Sequence, residues 1–256
     1  MKQQKLELRD LHYSYPDGFQ AINGLSFSIR QGESVGIIGA NGAGKSTLLM
    51  LLMGIFFPSR GEIRLGEMPV TKKTLPRLRE KLGMVFQDPD DQLFMTTVYD
   101  DVAFGPRNYK FDEKEVKLRV ERALEMVGIL HLQDRAPFKL SGGQKRAAAI
   151  ASILSMQPDI LVMDEPTAAL DPGSRRRIMK LLKDIGQTRI ITSHDLDMVF
   201  DLCERTIVLK NGKIAADGLT SEILINAGLM EACGLELPPA FQDCPNCGRK
   251  KTGIQV

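Results

Sequence analysis

The chain opens on two stretches, Lys5 to Leu11 and Leu25 to Ile29, in which apolar and polar residues alternate as in half-buried strands. Between them Tyr15, Pro16, Asp17 and Gly18 form a turn cluster. Ser34 to Gly39, a short apolar run closed by glycine, predicts a buried strand, and Lys45 to Met53, rich in Leu and Met, predicts a helix after it. Pro58 to Gly61 breaks that pattern, and Glu62 to Leu65 and Leu82 to Phe86 return as strands. From Thr96 to Gly128 the spacing is helical, with Val116, Val120, Ala123, Leu124 and Val127 set among charges. Ser141 is placed to cap a further helix through Met156, since its hydroxyl accepts from the free amides of a first turn. Ile160 to Met163, Arg189 to Thr192 and Arg205 to Leu209 are again strand-like, with helical stretches between them. Strands alternating with helices predict a parallel α/β sheet, into which the central helical stretch reads as an insertion. The tail from Leu219 predicts a helix or two and an irregular end.

Composition narrows the classes without choosing among them. A chain of 256 residues with 43% hydrophobic and 26% charged positions is globular, which excludes disordered, collagenous and coiled-coil chains. Lys and Arg number 34 against 32 Asp and Glu, and a net charge of +2 is no electrostatic footprint for nucleic acid, so no nucleic-acid partner is expected. The longest apolar run, Leu48 to Phe57, is interrupted by Gly54 and falls short of the ~20 residues that cross a bilayer. With no basic-then-apolar leader, a location in the cytoplasm is expected. Four Cys do not suggest a disulfide scaffold.

Chemistry enters with Gly39-Ala40-Asn41-Gly42-Ala43-Gly44-Lys45-Ser46, which fits G-x-x-x-x-G-K-[ST] between a strand and a helix. The glycines let the backbone curl so that its N–H groups point at phosphate oxygens, and the helix from Lys45 adds the positive end of its dipole. Lys45 then reaches the β- and γ-phosphates, and the Ser46 hydroxyl ligates Mg²⁺. A second strand, Ile160 to Met163, ends in two acids, Asp164 and Glu165, at the edge where ligands of open α/β sheets sit. Asp164 is placed to hold Mg²⁺ through water, and Glu165, pointing the other way, to polarise the attacking water.

Leu140-Ser141-Gly142-Gly143-Gln144 is a second helix N-terminus with exposed amides, and it resembles the signature motif of ATP-binding-cassette (ABC) ATPases. Its place after the phosphate loop and before the Asp164-Glu165 strand also fits that family. The resemblance covers roughly Lys5 to Gly218. It implies an α/β phosphate-loop cassette with a mixed sheet core of parallel strands and a helical signature subdomain. The ATPase domain would span 1–218 with the helical part inserted at about 88–156, leaving a tail at 219–256. It implies ATP and Mg²⁺ as cofactors, and two cassettes packed head to tail, each signature capping the ATP on the other's phosphate loop. Gly39, Asn41, Gly42, Ala43, Gly44, Lys45, Ser46 and Thr47 would then bind ATP, together with Ser141, Gly142, Gly143 and Gln144. Tyr15 resembles the aromatic that stacks on adenine, with Tyr13 the alternative if the register slips. Gln87 resembles the glutamine that touches Mg²⁺ and the water and hinges the helical insertion, so Ser46, Gln87 and Asp164 form the metal set. Asp171 resembles the residue linking the two nucleotide sites, and His194 the switch histidine on the γ-phosphate. Glu165, His194 and Gln87 make up the catalytic set.

Within that family, Val85 to Phe94 and Thr97 to Pro106 look like the ATPase subunits of energy-coupling-factor importers, where this segment receives a helix of the membrane subunit. Leu93, Phe94 and Phe104 suit such docking if exposed and are core if not. Thr192 to Arg205, with Ile185 to Thr188 before it, and Cys233 to Pro238 are more similar to the cobalt/nickel type than to the vitamin type. The implied partners are a second cassette, a homodimer favoured and a heterodimer open, a transmembrane coupling subunit and a substrate-binding membrane component. The place implied is the cytoplasmic face of the cell membrane. A soluble, non-transport ABC ATPase is the rival reading, and such proteins usually show paired cassettes, a long coiled-coil insertion or a basic patch. Cys244 and Cys247 have the spacing of a zinc half-site or redox pair, or are unpaired thiols of a tail.

Overall fold

The computed structural model describes residues 5–242. The two alternating stretches become strands β1 (Lys5–Ser14) and β2 (Gln20–Arg30), followed by β3 (Ser34–Ile38), α1 (Lys45–Leu52), β4 (Arg60–Leu65), β5 (Met68–Pro69), α2 (Leu75–Lys81) and β6 (Leu82–Val85). Three helices come next, α3 (Val98–Asn108), α4 (Glu113–Met126) and α5 (Gly142–Leu154). The chain then runs through β7 (Ile160–Asp164), α6 (Pro172–Asp184), β8 (Thr188–Thr192), α7 (Leu196–Leu202), β9 (Arg205–Lys210), β10 (Lys213–Leu219), α8 (Thr220–Leu224) and α9 (Ala227–Ala232).

The described strands form two sheets, one in the order β2-β1-β4-β5 and one in the order β10-β9-β3-β8-β7-β6. The first is antiparallel. In the second, β9, β3, β8, β7 and β6 are parallel and β10 pairs antiparallel at the edge. Every residue of β3, β6 and β7 is buried, as expected of parallel strands covered on both faces, which is why they read as unbroken apolar runs. Two cores result. One packs α1 and the antiparallel sheet onto one face of the parallel strands, around Leu8, Ile29, Leu48 and Ile207. The other packs α3 to α7 onto the opposite face, around Val102, Val120, Ile150 and Met163. Helices α3 to α5 lie between β6 and its parallel neighbour β7 and form the crossover that joins them.

Four local readings need correction. The helical stretch 96–128 is two helices, because Lys110 turns left-handed at φ 59 and Asp112 caps a new start with bonds from Lys114 and Glu115 N–H. Leu93 is buried in the core, whereas Phe94 and Phe104 are exposed and meet edge-to-face at 4.9 Å. Both α2 and the edge strand β10 lie where no element was expected. The turn at Tyr15 to Gly18 and the helix after Ser141 are where the sequence puts them. Among the described residues no helix is long and apolar enough to cross a membrane. Cys244 and Cys247 lie outside the described residues.

Candidate functional site

The loop between β3 and α1 is shaped by close backbone approach. Gly44 sits at φ 105, where a Cβ would lie 2.6 Å from the Ala21 carbonyl oxygen, so a side chain does not fit at the entry to α1. Helix α1 has no side-chain cap and no acidic residue in its first turn. Its first amides therefore have neither an intrahelical acceptor nor a local anion, and they present the positive helix end outward. The Lys45 ammonium folds back to donate to the carbonyl oxygens of Gly39 at 2.7 Å and Ala40 at 3.2 Å. Burial pulls the Lys45 pKa down, while the nearby Glu165 and Asp164 hold it up.

Asn41, Gly42, Gly44, Lys45, Ser46 and Thr47 line a cavity of about 340 Å³ together with Tyr15, Phe19, Ala21, Gln87, Asp164, Glu165 and His194. The structure thus gathers on one cavity residues that lie between Tyr15 and His194 in the sequence. Tyr15 is fixed there by a 2.8 Å hydrogen bond between its hydroxyl and Thr47 Oγ1. Tyr13 does not line the cavity: its ring stacks on Phe56 at 5.1 Å and meets that of Tyr15 edge-on at 5.2 Å. Gly39 and Ala43 do not line the cavity: Gly39 offers its carbonyl to Lys45, and the buried Ala43 donates to Ala40 O and accepts from Gly212 N–H.

The two acids at the end of β7 have different environments. Asp164 Oδ1 accepts from Thr192 Oγ1. Glu165 turns out of the strand at φ 48, a left-handed conformation uncommon for a non-glycine residue. Its N–H donates to Thr192 O at 3.0 Å, and its Oε2 accepts from Ser193 Oγ at 2.9 Å. The other oxygen, Oε1, is buried without a hydrogen-bond partner and lies 3.8 Å from His194 Nε2. Burial pushes the Glu165 pKa up, against the Ser193 hydrogen bond and His194, which lower it. A buried acceptor of this kind normally has a partner, and the position beside Lys45 and His194 makes a reacting water the chemical fit. For a cation, Ser46, Gln87 and Asp164 supply a hydroxyl, an amide and one carboxylate, an all-oxygen set suited to Mg²⁺ that also takes ligands from phosphates.

The signature residues stand apart. Ser141 caps α5 in a box with Gln144: Ser141 Oγ accepts from Gln144 N–H, and Gln144 Oε1 accepts from Ser141 N–H at 3.0 Å. The Gln144 side chain is therefore engaged within its own helix start. None of Ser141, Gly142, Gly143 and Gln144 lines the phosphate-loop cavity. Gly142 opens on a groove of about 560 Å³ that shares Gln87 with that cavity. Gly143 is pressed against α6, where a Cβ would fall 2.2 Å from Ser174 Oγ. Asp171 is also outside the cavity and caps α6 by accepting from Gly173 and Ser174 N–H, and the Ser174 side chain, with these amides, holds its carboxyl below the usual range. The sequence reading missed Phe19, whose ring lies 6.5 Å from that of Tyr15, and Ser193, whose only signal was adjacency to His194.

A phosphate loop at the edge of a parallel sheet, facing two carboxylates on the next strand but one, defines a nucleoside-triphosphate hydrolase of the α/β class. The sequence profile for ABC transporter matches residues 22–168. A protein of Geobacter sulfurreducens provisionally named an ABC transporter ATP-binding protein is 59% identical over 244 residues, 95% of this chain and 98% of the relative. The energy-coupling factor transporter ATP-binding protein EcfA of Methanothermobacter thermautotrophicus is 47% identical over 238 residues, 91% of this chain and 76% of the relative. Among solved structures, CbiO1 of Clostridium perfringens, described as part of the ABC transporter complex CbiONQ, has a TM-score of 0.79 at 43% identity, covering 89% of this chain and 93% of that chain. The chain belongs to the ABC transporter family and is an ABC-type ATPase.

Proposed function

We propose that the chain is the ATP-hydrolysing subunit of an energy-coupling-factor importer, that it works as a head-to-tail dimer on the cytoplasmic face of the membrane, and that its cargo is a transition-metal ion, cobalt or nickel. The energy-coupling-factor assignment is supported by EcfA relatives and by CbiO1 at 43% identity. The metal cargo is supported by the likeness of Thr192 to Arg205 and Cys233 to Pro238 to the cobalt/nickel type.

The observation that carries the enzymatic half of the reading is the unpartnered Glu165 Oε1 on a cavity lined by Lys45 and Ser46. In the reaction, a water oxygen attacks the γ-phosphorus in line with the departing ADP oxygen, and Glu165 Oε1 accepts the proton of that water. Ser193 fixes the other carboxylate oxygen, so the base is held in one orientation. Lys45 and the first amides of α1 meet the charge that grows on the phosphoryl oxygens, and His194 contacts the γ-phosphate. Mg²⁺, held by Ser46, Gln87 and Asp164, would neutralise phosphate charge. Tyr15 stacks on adenine. The signature amides and Asp171 of a second copy complete the site, which explains why they lie outside the cavity of their own chain. A dimeric bacterial ABC transporter cassette with a TM-score of 0.76 at 29% identity, covering 84% of this chain and 98% of that one, supports this assembly.

The exposed Phe94–Phe104 pair gives the membrane subunit an apolar seat. Phe94→Asp/Phe104→Asp is expected to abolish co-purification with the membrane components and to leave ATP hydrolysis by the isolated chain within about twofold, because both side chains point away from the core. Uptake assays with labelled Co²⁺, Ni²⁺ and vitamins test the cargo. Accumulation of a metal that requires this chain and intact Glu165 supports the proposal, and accumulation of a vitamin alone overturns the metal assignment.

A further inference from the structure

Arg146 is a fully buried arginine, 2% exposed, on the second turn of α5. Its guanidinium donates to two successive carbonyls just beyond β6, Phe86 O at 2.6 Å and Gln87 O at 2.5 Å. Its neighbours fasten the same segment. Lys145 Nζ holds both Asp90 oxygens, at 2.6 and 2.8 Å, while Gln92 accepts from Phe86 N–H and donates to Ala149 O and Ser152 Oγ on α5. Burial lowers the Arg146 pKa, and Asp88, Asp164 and Glu165 act to keep the charge in place. A buried charge of this sort adds little to net stability compared with an apolar residue of similar volume, and its two bonds go to the backbone that presents Gln87 to the ATP cavity.

We propose that Arg146 is a positioning residue for hydrolysis: its guanidinium fixes the Gln87 backbone against the helix that begins at the signature, so that the Gln87 amide and the amides of Ser141 to Gly143 keep one relative placement. The inference rests on the reading of Gln87 as part of the ATP site. The two half-sites of one chain belong to different nucleotides in the dimer, so this clamp makes the seating of Gln87 at one ATP depend on the seating of the signature at the other.

The test is steady-state ATPase kinetics on the full chain for wild type, Gln87→Ala, Arg146→Met, Arg146→Lys and the double variant Gln87→Ala/Arg146→Met, with Mg²⁺-free binding of a fluorescent ATP analogue measured alongside. Arg146→Met is expected to lower kcat by about tenfold or more with nucleotide affinity unchanged within about twofold, because a misplacement near 1 Å suffices for that loss. Arg146→Lys, which keeps the charge but offers a point donor in place of a fork, is expected to recover about a third of wild-type kcat. The double variant is expected to be no slower than the slower single variant, since both act through the same amide. Multiplicative losses in the double variant, or nucleotide affinity falling in step with kcat, would overturn the proposal. If Arg146→Met does not fold, Arg146→Lys with and without Gln87→Ala puts the same question. A folded wild type that does not hydrolyse ATP would fail the ATPase reading itself, a different result from additivity.

Discussion

Replacing Glu165 with glutamine is expected to leave ATP binding intact, to cut turnover by about a thousandfold, and to accumulate a closed dimer that elutes as such only with ATP. The amide preserves shape and still accepts from Ser193 Oγ at the position of Oε2. What it loses is the proton acceptor at Oε1, which is buried without a hydrogen-bond partner. The pH behaviour carries a sign that separates this assignment from a structural role. Burial raises the Glu165 pKa above the ordinary 4.5, and the base works only when ionised. The acid limb of wild-type kcat/KM, which reports the free enzyme, therefore lies above 4.5, and Glu165→Gln lacks that limb. Stability moves the other way. A carboxyl with a raised pKa in the folded chain favours folding below its ordinary value and loses that contribution as pH rises through the raised one. Glu165→Gln is thus expected to melt above wild type near neutral pH, with the gap closing below pH 4.5.

Lys45→Ala is expected to weaken ATP binding by about 10- to 100-fold, the range for a lost hydrogen bond to a charged group, and to leave no measurable turnover. Lys45 is the lysine on a cavity that also holds two carboxylates, Asp164 and Glu165. Its removal takes away the cation facing a polyphosphate and leaves those two like charges uncompensated. The ammonium also bridges Gly39 O and Ala40 O, so the loop loses its internal tie. Titration with a fluorescent ATP analogue checks the affinity, and phosphate release checks the turnover. Binding within twofold of wild type would remove Lys45 from the phosphate site.

The parts of this site that the sequence exposed are those written within a few consecutive residues. The phosphate loop, the Asp164-Glu165 pair and the Ser141 cap each combine a local backbone requirement with a residue that meets it. Strands β3, β6 and β7 were legible because burial on both faces leaves an apolar run. The missing edge strand β10 had a signal, since Asn211 and Gly212 both take positive φ, at 50 and 70°, in the tight turn an Asn-Gly pair favours. Its alternating exposed and half-buried residues gave no apolar run to notice. Helix α2 buries only Leu78, so it leaves almost no periodic stripe. Arg146 and Ser193 were out of reach for another reason. Arg146 meets Phe86 across 60 residues, and Ser193 meets Glu165 across 28, and no local pattern encodes such pairs. Leu93 and Phe94 show the same limit at short range, because adjacent apolar residues face core and solvent and only the packed helices decide which.

The split of one ATP site between two chains is tested most directly by mixing two inactive variants. Lys45→Ala disables the phosphate loop and keeps the signature, while Gly143→Asp, which drives a side chain into Ser174 Oγ, disables the signature and keeps the phosphate loop. In a mixed dimer one composite site carries both lesions and the other carries none. Random mixing should restore about a quarter of wild-type ATPase activity, since half of the dimers are mixed and each has one sound site. Two folded, separately inactive variants that stay inactive together would show that each chain does not complete the other's site.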